Sequence, residues 1–147
     1  MANQMSLLGK RIFIVEDNAS NSTIMKVLLH AAGAIVYNDR YAINTVARIH
    51  EAGKIDLIIM DLMLSKGQSG YDVIDEIRKD PELARIPAVV VSASDPELEM
   101  NRARDKGFQG YIPKPINNST FAKLIASVIN GQPVWGDDFN QNEYEHF

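Results

Sequence analysis

The chain has 147 residues, 46% hydrophobic and 23% charged, and no cysteine. This is the size and make-up of one ordinary globular domain, and without cysteine there are no disulfides, thiolate zinc sites or thiol catalysis. The net charge of -4 is unevenly placed, because all 15 Lys and Arg and 15 of the 19 acids precede Gly131, leaving the excess on Asp137, Asp138, Glu143 and Glu145. Such a body lacks the basic footprint of a nucleic-acid binder. No apolar run approaches the ~20 residues of a membrane span, and no signal-peptide core is visible, so the expectation is a cytoplasmic protein that engages neither nucleic acid nor membrane.

In chain order, Met1 to Gly9 reads as a loosely held lead-in, and Lys10 to Val15 as the first strand. After Glu16-Asp17 comes a stretch of cap formers, Asn18-Ala19-Ser20-Asn21, followed by Ile24, Val27, Leu28 and Ala31 at helical spacing and Gly33 as the stop. Ala34 to Tyr37 predicts a short second strand, and Asn38 or Asp39 can cap a second helix whose stripe is Ile43, Val46, Ala47 and Ile49, closed by Gly53. Ile55 to Asp61 is the central strand: its unbroken apolar run is that of a strand buried on both faces. A loop from Leu62 to Ser69 leads to a third helix, Tyr71 to Lys79, with Val73, Ile74 and Ile77 inward and Asp80-Pro81 ending it. Ala88 to Val91 is the fourth strand, and Ser94-Asp95-Pro96 opens a fourth helix reaching Lys106. That helix has few apolar anchors (Leu98, Met100, Ala103), so it should be the least firmly docked. Gly110 to Ile112 is the fifth strand, and Asn117 to Asn130 the last helix, with Phe121, Leu124, Ile125, Val128 and Ile129 as its stripe. Gln132 to Phe147 shows no periodicity and reads as irregular. Five alternations of strand and helix call for an α/β fold with a five-stranded parallel sheet, helices on both faces and right-handed crossovers.

In such sheets ligands gather outside the carboxyl ends of the strands, where the strand order reverses. Those ends carry Glu16-Asp17, Asp61, Ser92 and, after the fifth strand, Lys114 between Pro113 and Pro115. Three carboxylates at close range cannot all stay ionised without a cation. Oxygen donors without His or Cys point to Mg²⁺. Asp61 is a candidate nucleophile that can hold phosphorus as an acyl phosphate. Lys114 can pair with a phosphate oxygen as a point charge, and Ser92 can donate to one. Each residue also has a plainer reading: a solvated strand end, a capping Asp or Ser, a surface lysine. Finding all of them in the same topological slot favours the chemical reading. His30, His50 and His146 form no ligand spacing, and the first two suit helix C-terminal ends. Trp135, Phe139, Tyr144 and Phe147 in the tail suit a docking peptide or an unstructured terminus.

Residues 10 to 130 resemble the receiver domain of two-component response regulators, with residues 131–147 as an acidic, aromatic-containing tail. The resemblance rests on Ile14-Val15-Glu16-Asp17-Asn18, Ile59-Met60-Asp61-Leu62-Met63, Val90-Val91-Ser92-Ala93 and Tyr111-Ile112-Pro113-Lys114-Pro115. It implies the flavodoxin-like strand order 2-1-3-4-5. It also implies that Asp61 accepts phosphoryl from a histidine kinase or histidine phosphotransfer protein. Asp17, Asp61 and the Met63 carbonyl would ligate Mg²⁺ directly and Glu16 mainly through water, while Ser92 and Lys114 would hold phosphoryl oxygens. In such relatives the Lys114-Pro115 bond is cis. Tyr111 corresponds to the aromatic that moves with Ser92, and Ala93 to a small residue that leaves the site open. The resemblance therefore implies a stand-alone response regulator, chemotaxis-regulator-like. Its catalysis is limited to its own phosphorylation and dephosphorylation, and its fourth helix, fifth strand and fifth helix form the face that meets a downstream protein. Two features depart from the family: Ser65 stands where relatives usually carry proline, and the loop from Asp61 to Gly70 is one residue longer. The alternatives are a phosphorylation-independent binding module on the same fold and, more remotely, a turnover phosphatase.

Overall fold

The computed structural model describes residues 5–136. The expected elements follow in order: β1 (Arg11–Val15), α1 (Ala19–Ala31), β2 (Ile35–Asp39), α2 (Thr45–Ala52), β3 (Leu57–Met60), α3 (Gly70–Lys79), β4 (Ala88–Ser92), α4 (Pro96–Asp105), β5 (Gly110–Pro113) and α5 (Phe121–Ile129). A sixth strand, β6 (Val134–Trp135), follows. All pairings are parallel, and the strand order is β2-β1-β3-β4-β5-β6. The five expected strands thus take the expected order, with one short strand added at the β5 edge. The segment after Gln132, expected to be irregular, is ordered as far as Gly136. The tail residues Asp137, Asp138, Phe139, Glu143, Tyr144, Glu145, His146 and Phe147 lie outside the described residues.

Side-chain alternation along the strands explains the two-layered core. Phe13, Val15, Ile58, Met60, Val90 and Tyr111 face one layer, with Ile49 of α2, Ile74 and Ile77 of α3 and Ala103 of α4. Ile12, Ile14, Leu57, Ile59, Val89, Val91 and Ile112 face the other, with Met25 and Leu29 of α1 and Phe121, Ile125 and Val128 of α5. Each fully buried Ile, Leu or Val contributes roughly 1.5–3 kcal/mol through burial, so β1, β3 and β4 form a firmly packed floor in which β1 and β3 end level at Val15 and Met60 and β4 runs on past Val90 to Ser92.

Three local expectations are corrected. Met1 to Gln4 of the lead-in lie outside the described residues, and its described part is held rather than loose: Leu7 is fully buried, its amide donates to the Ala32 carbonyl (2.9 Å), and Leu8 packs on Gly33. On α1 the buried positions are Ser22, Met25 and Leu29, while Ile24 and Val27 are exposed. Both stripes have helical spacing, and they differ by one residue in phase. The Asn18 side chain caps the helix by accepting from the Asn21 amide (2.9 Å). Of the stripe expected for α2, Ile43 lies before the helix and is exposed, as is Ala47 on it, and neither Asn38 nor Asp39 is the cap. Buried Asp39 instead accepts from the Tyr41 and Ala42 amides and the Thr45 hydroxyl (3.2, 3.1 and 2.8 Å), which delays the helix to Thr45.

Helix α4 does have few apolar anchors: Ala103 is buried, Met100 half-buried and Leu98 exposed. Aromatic and polar contacts hold it instead. The Tyr71 hydroxyl donates to Glu99 Oε2 (2.6 Å), the Arg102 guanidinium lies over the Tyr71 ring, and Lys106 pairs with Asp75 (2.9 Å). A helix pinned by such contacts can shift without opening a large apolar gap.

Candidate functional site

Parallel pairing sets Val15, Met60 and Val90 side by side, so the residues that follow β1 and β3 emerge together at the rim. The Asp61 amide donates back to the Val15 carbonyl (3.0 Å), which fixes the start of the loop that carries the carboxylate. Glu16, Asp17 and Asp61 each offer a carboxylate oxygen within 4.8 Å of the others. Across from them Lys114 Nζ lies 2.5 Å from Glu16 Oε1 and 3.4 Å from Asp61 Oδ2. The Lys114 amide donates to the Ser92 carbonyl (2.9 Å), so the β4 end positions the lysine stem. The Lys114-Pro115 peptide is cis.

The charges are poorly balanced within this cluster. Glu16 is 1% exposed, its Oε2 has no hydrogen-bond partner, and burial, followed by the neighbouring Asp61, pushes its pKa up to about 7. A buried carboxylate oxygen without a partner is costly, and a hard cation supplies what it lacks. Three oxygen donors with no nitrogen or sulfur fit Mg²⁺.

Ser92 is fully buried at the end of β4. Its Oγ lies 3.2 Å from Ser94 Oγ and accepts the Ser94 amide at 3.2 Å. Tyr111 is fully buried on β5, and its hydroxyl donates to the Ser94 carbonyl (2.8 Å). Ala93 is exposed beside them. Met63, whose carbonyl the resemblance offers to the metal, is 71% exposed, and its amide donates to Asp61 Oδ1 (3.3 Å). The site residues expected from sequence therefore fall into two groups: Glu16, Asp17, Asp61 and Lys114 in one cluster, and Ser92 and Tyr111 joined through Ser94.

Ser94 and Gly70 are absent from the expected set. Ser94 reads in sequence only as part of a helix start. Gly70 opens α3 against the acidic loop, where an added Cβ would lie 2.3 Å from the Asp61 carbonyl oxygen and 2.8 Å from Met60 Cγ. A glycine at the first position of a helix, where alanine is the better helix former, is the signal that was available. The longer loop with Ser65 is secured by its own contacts. Met63 and Ser69 form a bridge, Ser65–Gly67 make a short 3-10 turn, and the Gly70 amide donates to the Leu62 carbonyl (3.0 Å).

The family model for the response regulator receiver domain matches residues 12–126. The chain belongs to the response regulator receiver family. Among its relatives, the polar-differentiation response regulator DivK of Brucella ovis is 34% identical over 124 residues, 83% of this chain and 98% of DivK. The phosphorylated cyanobacterial phytochrome response regulator RcpA shares 31% identity at a TM-score of 0.68, over 82% of this chain and 91% of RcpA. The Mn²⁺-bound form of response regulator Rcp1 shares 26% identity at a TM-score of 0.66, over 81% and 91% of the two chains. Receiver domains relay from histidine kinases or phosphotransfer proteins and act as phosphoacceptors. The receiver family binds Mg²⁺ at an acidic cluster, and Glu16, Asp17 and Asp61 group together in this chain. No helix among the described residues is long and apolar enough to cross a membrane.

Proposed function

We propose that this receiver is a phosphorylation-driven protein switch in which Asp61 takes a phosphoryl group from a phosphohistidine of a histidine kinase or phosphotransfer protein. The observation that carries the reading is the convergence of Glu16, Asp17 and Asp61 within 4.8 Å, with Lys114 Nζ 3.4 Å from Asp61 Oδ2. Asp61, Asp17 and the Met63 carbonyl would hold Mg²⁺, with Glu16 acting mainly through water. Bound there, Mg²⁺ supplies neutralisation of charge on the phosphoryl oxygens. The Asp61 carboxylate attacks phosphorus in line, the P–N bond breaks, and the imidazole leaves with its electron pair and takes a proton. Lys114 turns from its carboxylate partners to a phosphoryl oxygen, and Ser92 donates to another. The presence of phosphorylated and Mn²⁺-bound forms among similar structures supports this assignment.

Near the lysine, Asn21, Ile24, Met25, Pro115 and Ile116 line an apolar hollow, and Ile24 and Met63 are exposed. A non-polar border around an acidic centre suits a phosphodonor that must dock and exclude water. On the far side, recruitment of Ser92 to the phosphoryl group would pull on Ser94 and release its carbonyl from Tyr111. The α4–β5–α5 face would then change its population of packings and meet a downstream protein, in the cytoplasm. The lasting output is a changed surface, with chemistry confined to the protein's own acyl phosphate.

The test is incubation with acetyl phosphate and Mg²⁺, read by intact mass. We expect one base-labile phosphoryl adduct in the wild type and none in Asp61→Asn. No Asp61-dependent adduct would leave the fold as a phosphorylation-independent binding module.

A further inference from the structure

The β5 edge, which a five-stranded sheet would leave open, is covered by the chain itself. After α5, residues 132–136 turn back so that Val134 pairs with Gly110 and Trp135 with Tyr111. The Val134 amide donates to the Gln109 carbonyl (3.3 Å) and the Gly136 amide to the carbonyl of Tyr111 (2.8 Å). Ser127 Oγ of α5 donates to the Gln132 carbonyl (3.3 Å). Val134 is buried in the α1–α5 layer, and half-buried Trp135 packs on the opposite layer. There the Arg104 guanidinium of α4 lies 4.4 Å from the centre of the Trp135 ring. Both ends of the contact are fitted by glycine. A Cβ on Gly110 would meet the Val134 carbonyl oxygen at 2.7 Å, and one on Gly136 would meet Met100 Sδ of α4 at 2.7 Å.

We propose that residues 132–136 form a strap that restrains the α4–β5–α5 face and reports its state. This rests on the phosphoacceptor reading above. The strap is bonded to the backbone of Tyr111 and, through Trp135, Arg104, Met100 and Gly136, to α4. Movement of α4 relative to β5 therefore strains or breaks strap contacts. A contact made in one packing and lost in the other biases the equilibrium between them, and the bias is reciprocal. Phosphorylation of Asp61 loosens the strap, and loosening the strap favours phosphorylation. Release also frees the β5 edge, whose backbone groups the strap pairs.

Trp135 is the single tryptophan of the chain, so its fluorescence reports the strap in the full-length protein. With acetyl phosphate and Mg²⁺, and adduct formation followed by mass, Trp135 emission shifts to longer wavelength and acrylamide quenching rises about twofold, the direction expected when a half-buried ring enters water. Asp61→Asn shows neither change. At sub-saturating donor, Trp135→Ala and Arg104→Ala each raise the steady-state phosphorylated fraction, with a coupling on the order of fivefold at most for single contacts of this kind. Arg104→Ala leaves the tryptophan and the core intact and must show the effect even if Trp135→Ala does not fold. A complete adduct with unchanged Trp135 emission overturns the strap and leaves the phosphoacceptor reading standing. Absence of any adduct overturns both, and the mass measurement tells the two failures apart.

Discussion

Replacing Glu16 by glutamine tests the electrostatics of the cluster directly. Glutamine keeps the volume and removes the charge. The wild-type carboxyl is 1% exposed, with its pKa raised from 4.5 to about 7, mainly by burial. The folded protein therefore holds this proton more tightly than the unfolded chain. The associated stability is present below about pH 4.5 and is lost as pH rises through about 7. At ~1.4 kcal/mol per pKa unit the loss is about 3 kcal/mol by pH 8. Glutamine forgoes part of the attraction to Lys114, which reduces the net gain to about 2 kcal/mol. For a chain of this length that is roughly 4–8 °C in Tm. Calorimetry with a chelator present should find Glu16→Gln close to wild type near pH 4.5–5 and more stable at pH 8. Adding Mg²⁺ at pH 8 should narrow or reverse the difference, because the cation stabilises the wild-type carboxylate more. A Tm difference that stays constant from pH 5 to pH 8 refutes the reasoning.

Three further outcomes follow from other contacts. Gly70→Ala drives a Cβ into the Asp61 carbonyl and should cost about 2–3 kcal/mol in urea unfolding despite the better helix propensity of alanine; a midpoint equal to wild type would contradict this. Lys114→Ala removes the one cation facing Glu16 and Asp61 in the described site. It should destabilise the metal-free protein by about 3 kcal/mol and still permit the Asp61 adduct, but without the Tyr111 ring response in NMR; normal partner binding by the phosphorylated variant would defeat that claim. His50 donates from Nε2 to Asp80 (2.7 Å), and this bond raises its pKa. The pair stabilises the α2–α3 contact below the unfolded pKa of His50 and loses that effect as pH passes the raised value. NMR titration should show the His50 midpoint falling in Asp80→Asn.

Local chemistry in the sequence was enough to define the strand ends. The apolar runs of β1, β3 and β4 are buried whatever their neighbours, so the positions after them must lie at a rim. That is why Glu16, Asp17 and Asp61 are assigned to one rim by sequence alone, and Lys114 joins them only because β5 is expected to lie parallel in the same sheet. The sequence also settled the alternation of strand and helix, and with it the parallel sheet. Helix phase was another matter. The α1 stripe Ile24-Val27-Leu28 and the buried set Ser22-Met25-Leu29 have the same period, and only packing against the sheet and against Leu7 selects between them. Helix α4 is weakly apolar in sequence, and its anchors, Tyr71 and Trp135, come from segments far away along the chain. The same holds for β6. Two residues are too few to show periodicity, and they form a strand because β5 offers an unpaired edge and Gly110 leaves room for a backbone to approach. Short-range pattern fixes what each segment can be; the direction it faces and what covers it depend on contacts between residues that the chain brings together only on folding.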